Sequence, residues 1–80
     1  MRIVKTFIAR DVDGKEYTIH ELQGEHEAIG PDGRRTMVPD ALRELRTDRD
    51  KAVDHISQGV YNVINTFDVI RVTSDDANAP

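Results

Sequence analysis

Alternation of apolar and polar residues at the start of the chain predicts a β-hairpin. Residues 3–10 and 15–23 are rich in β-branched and aromatic side chains and flank the turn cluster Asp11-Val12-Asp13-Gly14, a pattern typical of two antiparallel strands. We expect a three-residue loop with Gly14 in the left-handed conformation. This register pairs Phe7 with Ile19, Ala9 with Tyr17, Val4 with Leu22, Arg10 with Glu16 and Lys5 with Glu21.

The next segment, residues 24–35, has the composition of a loop. It contains three glycines and a proline, and we expect a tight turn at Pro31-Asp32-Gly33. Met37 and Val38 suit a short strand, and Pro39 forces the residue before it into an extended conformation.

Two interpretations of residues 39–57 lead to different fold classes. A helix is favoured by apolar residues at helical spacing, with Pro39 to begin it and Gly59 to end it. The run Thr47-Asp48-Arg49-Asp50 opposes a helix, because it places poor helix formers at the centre and Arg49 on the apolar stripe.

The competing interpretation of the same residues consists of strands. Residues 42–47 and 52–56 form two strands around a turn at 48–51, and Gly59 occupies the left-handed position of a further hairpin. That hairpin pairs Ile56 with Val60, His55 with Tyr61 and Val53 with Val63. Residues 60–72 are also strand-like, with a break at 65–68.

These patterns together predict an all-β fold. We expect a small antiparallel sheet or half-open barrel of five or six short strands joined by β-hairpins, and the alternative is an α+β fold with a helix within residues 39–57. Residues 1–73 form a single domain, and residues 74–80, which lack a large apolar side chain, form a disordered acidic tail. The expected core consists of Phe7, Ile19, Leu22, Leu42, Leu45, Val53, Ile56, Val60, Val63, Ile70 and Val72.

The order of these segments resembles that of a group of small bacterial proteins of about this length that have no assigned activity. The resemblance is carried by four stretches of this sequence: F-I-A-x-D-x-x-G-K-x-Y-T-I, V-P-x-x-L-x-x-L-x-T, A-V-x-x-I-x-x-G-x-Y-x-V and T-S-D-D-x-N-A-P. It implies an all-β fold and transfers no functional residue. The chain departs from the group after Thr47, where Asp48-Arg49-Asp50 replaces an expected glycine turn.

Composition narrows the chemistry that this chain can perform. The absence of cysteine from its 80 residues excludes disulfides, thiolate nucleophiles and cysteine-based metal sites. No apolar stretch approaches the ~20 residues of a membrane span, and the start of the chain does not resemble a signal peptide. We therefore expect a cytoplasmic protein without membrane contact.

Motifs for catalysis or cofactor binding are weak. His20, His26 and His55 are the only nitrogen ligands available to a metal, and the first two would lie roughly 20 Å apart on one extended strand. Asp54 and His55 would project from opposite faces of a strand, which prevents a triad with Ser57. The glycines do not have the spacing of a phosphate-binding loop. We expect no enzyme activity, no catalytic residue, no metal and no cofactor.

Charge is distributed unevenly along the chain, although the net charge is −4. Residues 34–51 carry six basic and four acidic side chains. The basic residues that could form one patch are Arg34, Arg35, Arg43, Arg46, Arg49 and Lys51. Such a patch suggests weak contact with nucleic acid or phosphate, but the acidic flanks would repel the same ligand.

The main functional prediction is a non-enzymatic module that binds a protein partner or a second copy of itself. A long β-prone segment offers an edge for strand addition, and a small core gains from oligomerisation. Tyr61 and Phe67 are the expected interface anchors, because aromatic residues dominate binding hot spots. Contact with nucleic acid or phosphate through the basic segment is the alternative.

Overall fold

The computed structural model describes residues 2–80, with only the backbone of residues 41 and 42, and it is an all-β structure, as predicted. The strands in this range are β1 (Arg2–Arg10), β2 (Glu16–Ile29), β3 (Arg35–Thr47), β4 (Ala52–Ser57), β5 (Val60–Ile64) and β6 (Val69–Thr73). The alternative of a helix within residues 39–57 is wrong, because β3 and β4 occupy that segment. No helix capable of spanning a membrane occurs within residues 2–80.

The strands form one antiparallel, ring-like sheet in which each strand pairs with its neighbour in sequence. The ring is closed by a single residue pair between β1 and β6, Arg10 with Thr73. A second weak seam lies between β3 and β4, which pair only at Leu45 with Val53 and at Arg46 with Ala52. The prediction of a small antiparallel sheet of five or six strands joined by hairpins is confirmed, with six strands in residues 2–80.

The first hairpin has the predicted loop and nearly the predicted register. Gly14 has a positive φ of 82°, and its N–H donates to the Asp11 carbonyl at 3.1 Å. The pairs formed as predicted are Phe7 with Ile19, Ala9 with Tyr17, Arg10 with Glu16 and Lys5 with Glu21. Leu22 faces Ile3 instead of Val4, because the register of β1 shifts between Ile3 and Lys5.

The hairpin between β4 and β5 is also close to its prediction. Gly59 has a φ of 74°, and His55 with Tyr61 and Val53 with Val63 are paired as expected. Val60 pairs with Ser57 rather than with Ile56, because the register shifts between His55 and Ser57.

The core is smaller than the sequence suggested. Its buried apolar members are Phe7, Ala9, Ile19, Val53, Tyr61, Val63 and Val72. Of the other predicted core residues, four are half-buried: Leu22, Leu45, Val60 and Ile70. Ile56 is 49% exposed, because it lies three positions after the inward-facing Val53 and strand alternation points it to the opposite face. The side chain of Leu42 lies outside the described residues.

The predicted loop at residues 24–35 is mostly strand. β2 continues to Ile29 and β3 begins at Arg35, so that only residues 30–34 form a turn. We call residues 24–42 the arm. The molecule measures 55 × 29 × 19 Å and has a radius of gyration of 15.4 Å, against roughly 12 Å for a compact domain of this length.

Residues 74–80, which we call the tail, lie against the sheet, and the prediction of disorder is corrected by their contacts. The Ser74 hydroxyl donates to the Ile8 carbonyl at 2.5 Å, and the Ile8 N–H donates to Asp76 Oδ2 at 3.4 Å. The Pro80 carbonyl accepts from Gly59 N–H and from the Tyr61 hydroxyl. The tail is ordered because its polar groups satisfy backbone groups beside the weak β1–β6 seam.

Candidate interaction surface

The arm is a two-stranded ribbon that extends from the ring. β1 pairs with β2 only as far as Gln23, and β4 pairs with β3 only at Leu45 and Arg46. Along residues 25–29 and 35–39 the two strands therefore pair with each other alone within the part of the chain that the structure describes. A ribbon of two strands is marginally stable in water without a further surface to pack on.

One face of the arm, here called the odd face, carries exposed apolar side chains. Cross-strand partners share a face, and faces alternate along each strand. The paired residues on the odd face are Glu25 with Pro39, Glu27 with Met37 and Ile29 with Arg35. Ile29 is 69% exposed and Met37 61% exposed, so two large apolar side chains lie in solvent on the same face.

Both glutamates of the odd face form ion pairs with arginine side chains. Glu27 Oε1 lies 3.6 Å from Arg35 Nε, and Glu25 Oε1 lies 3.6 Å from Arg2 Nε. Such exposed pairs contribute only about 0–1 kcal/mol to stability. Glu25 lies at the base of the face and Arg35 nearest the tip.

The outer edges of the arm are poorly suited to pairing with a second copy. Gly30 N–H donates to the Arg34 carbonyl at 2.9 Å, and ladder alternation from this pair turns the backbone of Glu25, Glu27 and Ile29 outward. A second copy added antiparallel there would bring Glu27 opposite its own counterpart. On the other edge Pro39 lacks the N–H that strand addition needs.

A polar cluster, Glu21, Gln23, Arg43 and Asp40, fixes the base of the arm. Arg43 Nε donates to Gln23 Oε1 at 2.8 Å, and Gln23 Nε2 donates to the Asp40 carbonyl at 2.8 Å. Arg43 Nη1 also lies 3.5 Å from Glu21 Oε1. Glu21 Oε2 is buried without a hydrogen-bond partner among the described residues. The cluster ties β2 to β3 where their register shifts.

Gly24 and His26 both lie against the Asp40 side chain at the base of the arm. A Cβ atom on Gly24 would lie 2.1 Å from Asp40 Oδ2, so a side chain at position 24 would displace the Asp40 carboxylate. His26 Nδ1 lies 2.8 Å from Asp40 Oδ1, on the face opposite Ile29. Asp40 thus fills the space that any other residue at position 24 would need.

The predicted basic patch is dispersed in the structure. Arg35 and Arg46 lie eleven positions apart on β3, roughly 36 Å along an extended strand. Four of the six cations have a carboxylate partner; the pairs are Arg34 with Asp32, Arg35 with Glu27, Arg43 with Glu21 and Arg46 with Glu44. Arg49 and Lys51 instead line a cleft at the other end of the ring.

The two predicted interface anchors differ completely in exposure. Tyr61 is fully buried, with its ring centroid 5.1 Å from that of Phe7, because its position on β5 points inward. It is therefore a core residue, and the prediction that it anchors an interface is wrong. Phe67 is 93% exposed in the β5–β6 turn, far from the arm in the fold.

Burial raises the pKa of the Tyr61 hydroxyl above its usual value. The negative charge of Glu21 raises this pKa further, whereas a hydrogen bond with the backbone of Gly59 opposes the shift. The hydroxyl therefore stays protonated, and its O–H donates a hydrogen bond to the Pro80 carbonyl.

Each histidine contacts a different side chain, and Asp54 and His55 do not contact one another as a catalytic pair would. His20 Nδ1 lies 2.9 Å from Thr6 Oγ1, and the His55 ring stacks on Tyr61 at 5.1 Å. Asp54 pairs with Asn62 and His55 with Tyr61, which places the acid and the imidazole on opposite faces of β4. Within residues 2–80 the described side chains contain no cluster of three metal-ligating groups.

The exposed face was not predicted, because residues 24–35, which include Ile29, were assigned to a loop and Met37 was assigned only to a short strand. A usable signal was present, since Gly30-Pro31-Asp32-Gly33 repeats the spacing of the first turn, with a glycine in the fourth position as in Asp11-Val12-Asp13-Gly14. Two similar turns would have indicated two similar hairpins.

No family model matches the chain, and no curated protein or solved structure is significantly similar to it.

Proposed function

We propose that this protein is a non-enzymatic self-association module that forms a homodimer through the odd face of its arm. The observation that carries the proposal is the pair of exposed apolar side chains, Ile29 and Met37, on one face of a ribbon that pairs with no other strand within residues 2–80. Burial of this face against a second copy would supply the packing surface that an isolated ribbon lacks.

The charges of the odd face favour a second copy as the partner. In a two-fold arrangement the same surface meets itself in reverse order. Glu25 and Arg35 occupy diagonally opposite corners of the face, with Glu27 and Met37 between them. When the strands of the two copies cross about a central two-fold axis, Arg35 of each copy comes opposite Glu25 of the other, so opposite charges meet at both ends of the interface.

A substitution in the centre of the face tests the proposal. We expect the wild-type protein to dimerise with increasing concentration in sedimentation equilibrium and Met37→Glu to weaken dimerisation at least about tenfold, ~1.4 kcal/mol. Val12→Glu is the matched control, because Val12 is 94% exposed in the β1–β2 turn, away from the arm. A wild-type protein that stays monomeric at all concentrations contradicts the proposal.

A mixing experiment tests the two-fold arrangement itself. Arg35→Glu and Glu25→Arg each place like charges opposite one another in their own homodimer, at both ends of the interface. In a mixed dimer of these two variants both contacts regain opposite charges, so we expect the mixture to dimerise more tightly than either variant alone. Equal affinity in the mixture and in the separate variants would exclude this arrangement.

A further inference from the structure

A cleft of about 200 Å³ lies at the end of the ring away from the arm. In this antiparallel meander the β1–β2, β3–β4 and β5–β6 turns share one end, and all three contribute to the cleft or flank it. Its lining residues are Lys15, Glu16, Tyr17, Thr18, Thr47, Asp48, Arg49, Lys51, Val63, Asn65 and Ile70. The Asp48 N–H donates to the Thr18 carbonyl at 3.0 Å and holds two of its walls together.

The cleft combines an apolar surface with basic side chains. Tyr17, Val63 and Ile70 provide the apolar part, and Val63 belongs to the buried core. The basic side chains are those of Lys15, Arg49 and Lys51. Lys15 Nζ lies 5.4 Å from the centre of the Tyr17 ring, a cation–π distance.

The side chains that line the cleft carry a net positive charge, and the Asp11 carboxylate lies beside them, where it accepts a hydrogen bond from the Tyr17 hydroxyl at 3.3 Å. Glu16 Oε2 lies 3.1 Å from Arg10 Nη2, so this carboxylate is already neutralised. Among the ion pairs of residues 2–80, none involves Lys15, Arg49 or Lys51. Asp48 is the one remaining acidic group in the lining, against these three cations.

We propose that this cleft binds a small organic anion, a carboxylate attached to one apolar ring. The apolar wall would cover the ring, and the basic side chains would contact the carboxylate. Its volume is smaller than the roughly 300–1,000 Å³ of drug-sized ligand sites, which selects a single ring. The site is independent of the dimer proposed above, because it uses no residue of the arm.

Benzoate is the probe for this site, with its neutral analogue benzyl alcohol and inorganic phosphate as comparisons. In a titration of the full chain followed by amide NMR, we expect saturable shifts at Thr18, Thr47, Val63 and Ile70 with benzoate. Benzyl alcohol and phosphate are expected to bind at least about tenfold more weakly, ~1.4 kcal/mol. Equal shifts with phosphate would overturn the role of the apolar wall, and equal shifts with benzyl alcohol would overturn the role of the cations.

Paired substitutions separate this site from general electrostatics. The double variant Arg49→Gln/Lys51→Gln is expected to lose benzoate binding about tenfold. Lys5→Gln/Arg34→Gln removes the same charge outside the cleft and should leave binding unchanged, as should Met37→Glu in the arm. Equal losses in the two double variants, or shifts spread over the whole surface, would overturn the proposal.

Discussion

Asp50 has a backbone conformation that the equivalent turns reserve for glycine. Gly14, Gly33 and Asp50 each close a turn through the same N–H to carbonyl hydrogen bond, at 3.1, 2.9 and 2.9 Å, and all have positive φ. At φ 64° Asp50 is in the left-handed region, which aspartate tolerates better than most residues. The missing glycine after Thr47 therefore does not change the type of turn.

A β-branched residue at position 50 should destabilise the fold. We expect Asp50→Val to lower the free energy of unfolding by about 1–2 kcal/mol, because a side chain branched at Cβ is strained at positive φ. Asp48→Val in the same turn removes the same charge without a positive φ and is the control. Urea denaturation measures both variants, and equal losses would show that φ is not the cause.

The buried hydroxyl of Tyr61 should make stability depend on pH in the alkaline range. Its raised pKa means that the unfolded chain loses this proton first as pH rises above about 10, so the free energy of unfolding falls from there until the folded-state pKa is passed. Below about pH 9 this contribution is fully present.

The variant Tyr61→Phe isolates this contribution. Near neutral pH it is expected to be about 1 kcal/mol less stable, because the hydrogen bond to the Pro80 carbonyl is lost. This deficit should shrink as pH rises past about 10, since phenylalanine does not ionise. Urea denaturation at several pH values measures the deficit, and a constant deficit would refute the expectation. Lysine titration is common to both proteins and cancels in the comparison.

At the level of elements, hairpins with an obvious turn were predictable. The Asp11–Gly14 and Ser57–Gly59 turns specify strand register locally, because a glycine in the left-handed position sets which residues face each other. The arm was not predictable to the same extent. Its strands bury little, so they lack the apolar alternation that identifies a strand, and the glycines at 24 and 30 suggest a loop.

The contacts of the tail could not be predicted from its composition. Residues 74–80 have no large apolar side chain, so composition predicts disorder. Their order comes from hydrogen bonds to Ile8, Gly59 and Tyr61, and such polar contacts leave no periodic pattern in the sequence. The register shifts at Val4 and Ile56 likewise leave no signal in the composition.

Ser74 provides a test of how the tail stabilises the fold. Its hydroxyl donates to the Ile8 carbonyl and accepts from Asp76 N–H at 3.2 Å, so Ser74→Ala should cost about 1 kcal/mol. Asp75→Ala changes the exposed neighbour and should cost less than half as much. A chain ending at Thr73 should lose more than either variant, because it also uncovers Tyr61. A truncated chain as stable as the full one in urea would contradict this account.

For the whole molecule, the pairing of charges differs between the two ends of the ring. The arm carries ion pairs beside the exposed Ile29 and Met37, whereas Lys15, Arg49 and Lys51 at the cleft end form no ion pair within residues 2–80. Residues 34–51 carry an excess of positive charge, but the six cations that could have formed one patch are separated in the structure. They separate because β3 is 13 residues long and carries them to opposite ends of the molecule.

The single pair that closes the ring also determines where the fold should open most easily. The other strand pairings join neighbours in sequence, so each closes a short loop. The pairing of Arg10 with Thr73 closes almost the whole chain, and the entropy lost in closing a loop grows with its length. The contact that demands the most entropy is thus secured by the fewest backbone bonds. Brief openings should begin at this seam and expose Val72 and Tyr61 while the hairpins remain intact.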